Sequence, residues 1–236
     1  MRTAIFHGGL LFAAVSLAGM PAQAAEKSIG LTSFETIVLS GDFAVEVVNK
    51  APLRAVISGS AEALDRVELR SAGGVLTISD KRFGSNRARG QGAGAVTIRI
   101  NAAKLRSASV SGAGSLTIDR LTGAKVELAL RGPGALTVGS ITADRMILSA
   151  VGNGKITLAG TVKSAETMVS GAGVVDASKL LVTDLIATGE GAADQRYQAS
   201  RTAQVTLRGI GRIEVDGKAK CTARNLGTGT LICGQP

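Results

Sequence analysis

Val110-Ser111-Gly112-Ala113-Gly114-Ser115-Leu116-Thr117-Ile118 is followed twenty residues later by Leu130-Arg131-Gly132-Pro133-Gly134-Ala135-Leu136-Thr137-Val138. Twenty further on comes Ala150-Val151-Gly152-Asn153-Gly154-Lys155-Ile156-Thr157-Leu158. The same Gly-x-Gly unit stands at Gly92-Ala93-Gly94, Gly171-Ala172-Gly173, Gly189-Glu190-Gly191, Gly209-Ile210-Gly211 and Gly227-Thr228-Gly229. The eight units are spaced by 20, 20, 20, 19, 18, 20 and 18 residues. A fixed period of this size marks a chain of stacked coils, each resting on its neighbours.

The residues between the glycines choose the kind of coil. With the first Gly of each unit as position zero, +4 and +6 read Val96/Ile98, Leu116/Ile118, Leu136/Val138, Ile156/Leu158 and Ile213/Val215. Positions −4 and −2 read Leu128/Leu130, Leu148/Ala150, Leu185/Ala187 and Val205/Leu207, and a third apolar site near +9 holds Leu121, Ile141 and Leu180. Both flanks alternate with a period of two, the mark of a strand with one buried face. The glycines fit a corner at which positive φ or close backbone stacking excludes a Cβ. The expected fold is therefore all-β, a parallel β-helix or β-solenoid with coils of about 20 residues, right-handed by the rule for parallel crossovers.

The division along the chain follows from the repeat. Residues 91–236 hold the eight marked coils. Residues 25–90 hold less regular strands: Phe34–Leu39, Phe43–Val48, Leu53–Ser58 and Val75–Ser79, with Ala61–Leu69 open between a short helix and an irregular strand. This segment is expected to supply the first coils and to cover an end of the stack that would otherwise invite edge pairing. The whole of 25–236 is expected to be one domain.

The order of these parts resembles a known family, the putative auto-transporter adhesins with a head GIN domain. Phe34-x-x-Ile37-x-Leu39-Ser40-Gly41 leads to Phe43-x-Val45-x-Val47, then to Val56-x-x-Gly59 and Gly74-x-Leu76-x-Ile78. Val96-x-Ile98-x-Ile100, Leu105 and Val110-Ser111-Gly112-Ala113-Gly114 follow. The resemblance implies a secreted or envelope-facing β-solenoid without an established enzymatic activity. The chain has no C-terminal run of strands long enough for an outer-membrane translocator barrel.

Residues 1–24 have the form of a secretory signal peptide. Arg2 is the basic start, 10–18 the apolar stretch and Ala22-Gln23-Ala24 the small-x-small cleavage pattern, while Pro21 and Gln23 break the run too early for a membrane anchor. No other stretch is long and apolar enough to cross a bilayer as a helix, so an integral membrane protein is not expected. The expected location is the periplasm, the cell surface or the medium. The only histidine, His7, lies in this leader. A mature chain then has no imidazole for a Ser-His-Asp triad, a Cys-His pair or a His-ligated metal. Aromatics at 3% with no Trp leave little on which to stack bases, and nucleic acid is not an expected partner.

The chain carries 27 basic and 18 acidic side chains, net +9, which becomes +8 once Arg2 is removed. Such an excess favours anionic partners, here an envelope component or a surface glycan, although a basic surface also serves solubility alone. Lys81, Arg82, Arg87 and Arg89 crowd the clearest loop and are the candidate contacts. The alternative is a solvated linker.

Two further groups stand out. Cys221 and Cys233 lie at −6 and +6 of the last unit with inward parity, and export favours a disulfide over two reduced core thiols. Position +5 reads Thr97, Thr117, Thr137 and Thr157, then Asp176, Asp194 and Glu214. Stacked about 5 Å apart, three carboxylates would need basic neighbours or a cation such as Ca²⁺. They are a candidate metal site for a carbohydrate-active enzyme or a glycan-binding protein, the alternative to a non-catalytic adhesion module. The bland reading is a solvated charged face. No catalytic residue and no organic cofactor is indicated.

Overall fold

The computed structural model describes residues 25–81 and 95–235. Strands run β1 Ala25–Gly30, β2 Thr36–Ser40, β3 Ala44–Asn49 and β4 Arg54–Gly59. Helix α1, Ala61–Arg66, precedes β5 Val67–Ala72, β6 Val75–Asp80, β7 Thr97–Ala102, β8 Ser107–Ser111 and β9 Ser115–Ile118. The repeat proper contains β10 Leu121–Arg131, β11 Ala135–Gly152, β12 Lys155–Gly171, β13 Val174–Gly191 and β14 Asp194–Gly209. The last three strands are β15 Arg212–Asp216, β16 Lys220–Asn225 and β17 Thr230–Gln235.

Equivalent strands of successive coils pair in parallel, as the repeat requires. Leu128 lies beside Leu148, Leu136 beside Ile156 and Leu121 beside Ile141. Each coil has two main faces, one before the glycine corner and one after it, and a shorter third side at the +9 position. The inward residues form columns, and Leu116, Leu121, Val126, Leu136, Ile141 and Ile156 are fully buried. Burying such side chains contributes roughly 1.5–3 kcal/mol each, and only stacking makes that burial possible. The chain is a β-solenoid.

The glycine corner has the geometry that the period implies. Gly112, Gly132, Gly152, Gly171, Gly191 and Gly209 have φ between +99° and +135°. A Cβ on each would meet the backbone of the preceding corner. One phase differs from the sequence reading. In the coil containing Gly189-Glu190-Gly191, the corner residue is Gly191, which pairs with Gly171 and Gly209, and Ala193 takes the second place. Gly189 falls instead on the inward face, beside Val169 and Leu207. Two residues of slip keep every side chain on its original face, which is why the alternation alone did not reveal it.

The N-terminal segment is not stacked in chain order. β2 pairs with both β6 and β8, and β3 with both β7 and β9. The level made by β2 and β3 is therefore inserted between one that follows it by some forty residues and the first regular coil. Gly41 provides its corner: a Cβ on Gly112 would lie 2.9 Å from the Gly41 carbonyl oxygen. The Gly92-Ala93-Gly94 unit lies outside the described residues. Ala61–Leu69 resolves into α1, whose N-cap Ser60 accepts from the Ala63 amide at 3.2 Å, followed by the start of β5. β4 and β5 run antiparallel to β7 and β6, and β1 antiparallel to β4, so the parallel stack ends at this side in antiparallel strands. Arg66 bonds Asp80 and Asp42 there and lies 5.8 Å from the Phe43 ring centroid, tying the helix end to the first corners.

At the other end Cys221 and Cys233 form a disulfide, with Cα atoms 6.1 Å apart and a sequence separation of 12. It links β16 to β17 in a coil with neighbours on one side only among the described residues. Closing a loop of this size contributes about 3 kcal/mol. Changing both cysteines to serine is expected to accelerate amide exchange across 217–235 and to leave 126–191 protected. Uniform loss of protection throughout would contradict a local role.

Candidate functional site

The register places each carboxylate of the candidate metal column. Thr117, Thr137, Thr157, Asp176, Arg196 and Glu214 lie side by side on successive levels, and Glu46 and Arg99 extend the row past Thr117. Asp194 is not in it. It stands two residues earlier on its strand, between Val174 and Arg212. Thr97 likewise lies beside Ala44, outside the threonine row. The three carboxylates are thus not brought together, and the column alternates in sign. Arg196 and Arg212 approach Glu214 at 3.7 and 2.9 Å. The Ser178 hydroxyl and amide donate to Asp176 Oδ1 at 2.6 and 3.2 Å, and these bonds hold its carboxyl below the usual range. Among the described residues, no group of three His, Cys, Asp or Glu side chains is arranged to hold a metal ion.

Most other acids are matched in the same way. Arg145 meets Glu166 at 2.9 Å, Lys163 meets Asp144 at 2.7 Å and Arg99 meets Glu46 at 2.9 Å. Arg201 and Thr202 both donate to Asp184 and depress its pKa, the arginine more. Each exposed pair is worth little in stability. Their effect is to neutralise the acids locally and leave a surplus of cations.

Three of these unpaired cations share one corner. The Lys50 amide donates to Ala102 O at 3.2 Å, and the Thr122 amide to Leu105 O at 3.3 Å, so Lys50, Lys104 and Arg120 come from adjoining levels at the same edge. All three are exposed and make no ion pair among the described residues. Asp119 shares the corner, where its Oδ2 accepts from the Asn49 amide at 3.0 Å. Of the basic group expected from sequence, Lys81 is exposed and its amide bonds Arg66 O at 2.9 Å. Arg82, Arg87 and Arg89 lie outside the described residues.

Sequence reasoning missed a polar cluster inside the core. Thr167, Gln195 and Tyr197 are buried. Thr167 Oγ1 donates to the Tyr197 hydroxyl at 3.0 Å, which donates to Gln195 Oε1 at 2.9 Å. Gly189 makes room, since a Cβ there would lie 2.4 Å from Gln195 Nε2. Burial pushes the Tyr197 phenol up. The signal was present in the only tyrosine of the chain at an inward position, but its neighbours come from other coils.

Parallel coils with inward columns of apolar residues and a glycine corner define a β-solenoid. No described helix is long and apolar enough to cross a membrane. The chain belongs to the family described as "Putative auto-transporter adhesin, head GIN domain", which matches residues 33–219. Among solved structures it is similar to a putative adhesin of Bacteroides fragilis, with a TM-score of 0.78 and 19% identity over 90% of this chain and 98% of that one. It is also similar to a putative adhesin of Parabacteroides merdae, with a TM-score of 0.67 and 18% identity over 90% and 97%. A putative lipid binding protein of Parabacteroides distasonis shares the fold at TM-score 0.69 and 19% identity, over 90% and 97%. No curated protein matches the chain. Family membership and the disulfide point to an extracytoplasmic location.

Proposed function

We propose that this solenoid is a non-catalytic adhesion module, exported to the periplasm or the cell surface, that presents a basic surface to an anionic polymer of the cell envelope. The observation that carries the reading is the corner itself, where, among the described residues, the exposed and unpaired Lys50, Lys104 and Arg120 lie on adjoining levels beside a single acid, Asp119. Three cations at one edge of a rigid ladder suit a repeating polyanion, because each added contact is then nearly intramolecular. Lys81, Arg82, Arg87 and Arg89, the basic group singled out in the sequence, are further candidate contacts for such a polymer.

Such binding weakens as salt rises, since exposed charges are screened within about 8 Å at physiological ionic strength. The protein should be retained on immobilised polygalacturonate at low salt and released as salt increases. The triple variant Lys50→Glu, Lys104→Glu, Arg120→Glu should pass through unretained, and Arg87→Glu with Arg89→Glu should elute earlier than the parent. Retention that ignores salt, or survives the triple variant, would refute the assignment. Retention on anionic phospholipid vesicles but not on the polysaccharide would replace the polymer with a membrane surface.

A further inference from the structure

The face before the glycine corner is a sheet of nine parallel strands in the order β6, β2, β8, β10, β11, β12, β13, β14 and β16. Its outward middle column reads Thr77, Val38, Ser109, Ala129, Ser149, Met168, Thr188 and Thr206, eight strands in succession without a charge, and ends at Arg224 on β16. On a chain with 45 charged side chains, counted as 27 basic and 18 acidic, so long an uncharged strip is a distinct surface. Met168 is 57% exposed at its centre. On the adjoining strands Val151 is 50% and Ile186 48% exposed, and Ile147 is half-buried.

We propose that this face packs against the same face of a second copy, about a two-fold axis running along the middle column. The operation sets each residue two places before that column against the residue two places after it on the same strand of the other copy. Glu127 then meets Arg131, Ile147 meets Val151, Gln204 meets Arg208 and Ser107 meets Ser111, while Met168 meets itself. Arg131 makes no ion pair within its own chain among the described residues, while Glu127 already pairs with Lys125, so Arg131 would join that pair across the axis. Ile186 faces Glu190, whose carboxylate is already 3.4 Å from Arg208. A two-fold axis laid along the Met168 strand instead would set Arg131 against Arg208, so charge selects the first arrangement. The eight uncharged strands, about 4.8 Å apart, and about six residues at ~3.3 Å each make a panel of roughly 35 by 20 Å. That is about 700 Å² per copy, within the range that interfaces of standard size bury. Faces of sheets pack in this way at about 10 Å separation. Such a pair leaves the corner of Lys50, Lys104 and Arg120 outside the contact, on a different edge of each rod.

Sedimentation equilibrium of the protein between about 1 and 100 µM tests the proposal, with thermal melting as a check that variants fold. The parent should sediment as a dimer, and Met168→Arg should weaken association at least tenfold with an unchanged melt. Glu127→Arg and Arg131→Glu should each weaken it, and the double variant should regain the parent affinity because the axis places the two positions opposite each other. A parent that stays monomeric at 100 µM would overturn the proposal. So would a dimer indifferent to Met168→Arg, or a charge exchange that fails to restore association. If Met168→Arg abolishes retention on polygalacturonate while the parent is monomeric, the face binds the polymer and the dimer is refuted.

Discussion

Gly171→Val is expected to be the most damaging corner substitution, lowering stability by about 3–5 kcal/mol and the melting temperature by roughly 10 °C or more. The residue has φ +121°, a region that L side chains rarely adopt. A Cβ would lie 2.2 Å from the Gly152 carbonyl oxygen, the same atom that accepts from the Ala172 amide at 3.0 Å. The neighbour is backbone and cannot swing aside, so the coil must separate from the one below it. A β-branched residue adds overpacking to the backbone strain. Gly123 provides the control: its φ is not in the left-handed region, and a Cβ there makes ordinary contact at 3.5 Å. Gly123→Ala should change stability by less than about 0.5 kcal/mol. Denaturant unfolding of the two variants decides the matter, and equal losses would show that corner stacking is not what demands glycine.

Tyr197→Ala should cost about 3–5 kcal/mol, the range for removing a large buried ring. Ala177 lies beside Tyr197 on one neighbouring strand and Val215 on the other, so the small residue on one side accommodates the ring. Tyr197→Phe keeps the packing but leaves the Thr167 hydroxyl and Gln195 Oε1 without their partner, at about 1–3 kcal/mol. Adding Gln195→Leu should recover part of that loss. It removes the orphaned acceptor together with Gln195 Nε2, which has no hydrogen-bond partner in the parent. Absence of coupling between the two substitutions in a double-mutant cycle would show that the buried bonds are not a unit.

The phenol adds a pH signature. Its pKa is raised in the folded protein by burial, so its contribution to stability is intact below the unfolded value near 10 and is lost as pH rises above it. Because it is the only tyrosine and there is no tryptophan, phenolate absorbance should appear together with unfolding on alkaline titration. Phenolate forming near pH 10 with the fold intact would contradict the burial.

Much of this architecture was legible because each regular coil repeats the same physical demands at the same interval. Positive φ and backbone stacking call for glycine at 112, 132, 152 and 171, and one buried face calls for the alternation around Leu116, Leu136 and Ile156. The disulfide was readable for a related reason: inward parity at Cys221 and Cys233 turned both sulfurs toward the inside of one coil, where they pack half-buried against the core. The candidate metal column failed at the coil where the glycines themselves misled. Gly189 is there to admit Gln195, and taking it for the corner displaced Asp194 into a column that Arg196 occupies.

The sequence by itself determined that the chain winds into a stack of short strands, where the bends fall in the regular coils and which side chains face inward. Those properties depend on residues close together in the chain, acting through period and parity. Only the tertiary structure decided that the level of β2 and β3 slides between strands that come later, that opposite charges alternate beside Asp176, and that Tyr197 bonds Thr167 across thirty residues. Each of these depends on which strand becomes the neighbour in the stack. Strand pairing is decided by the closure and burial of the whole rod, because many registers satisfy the same alternation locally and only one buries every coil.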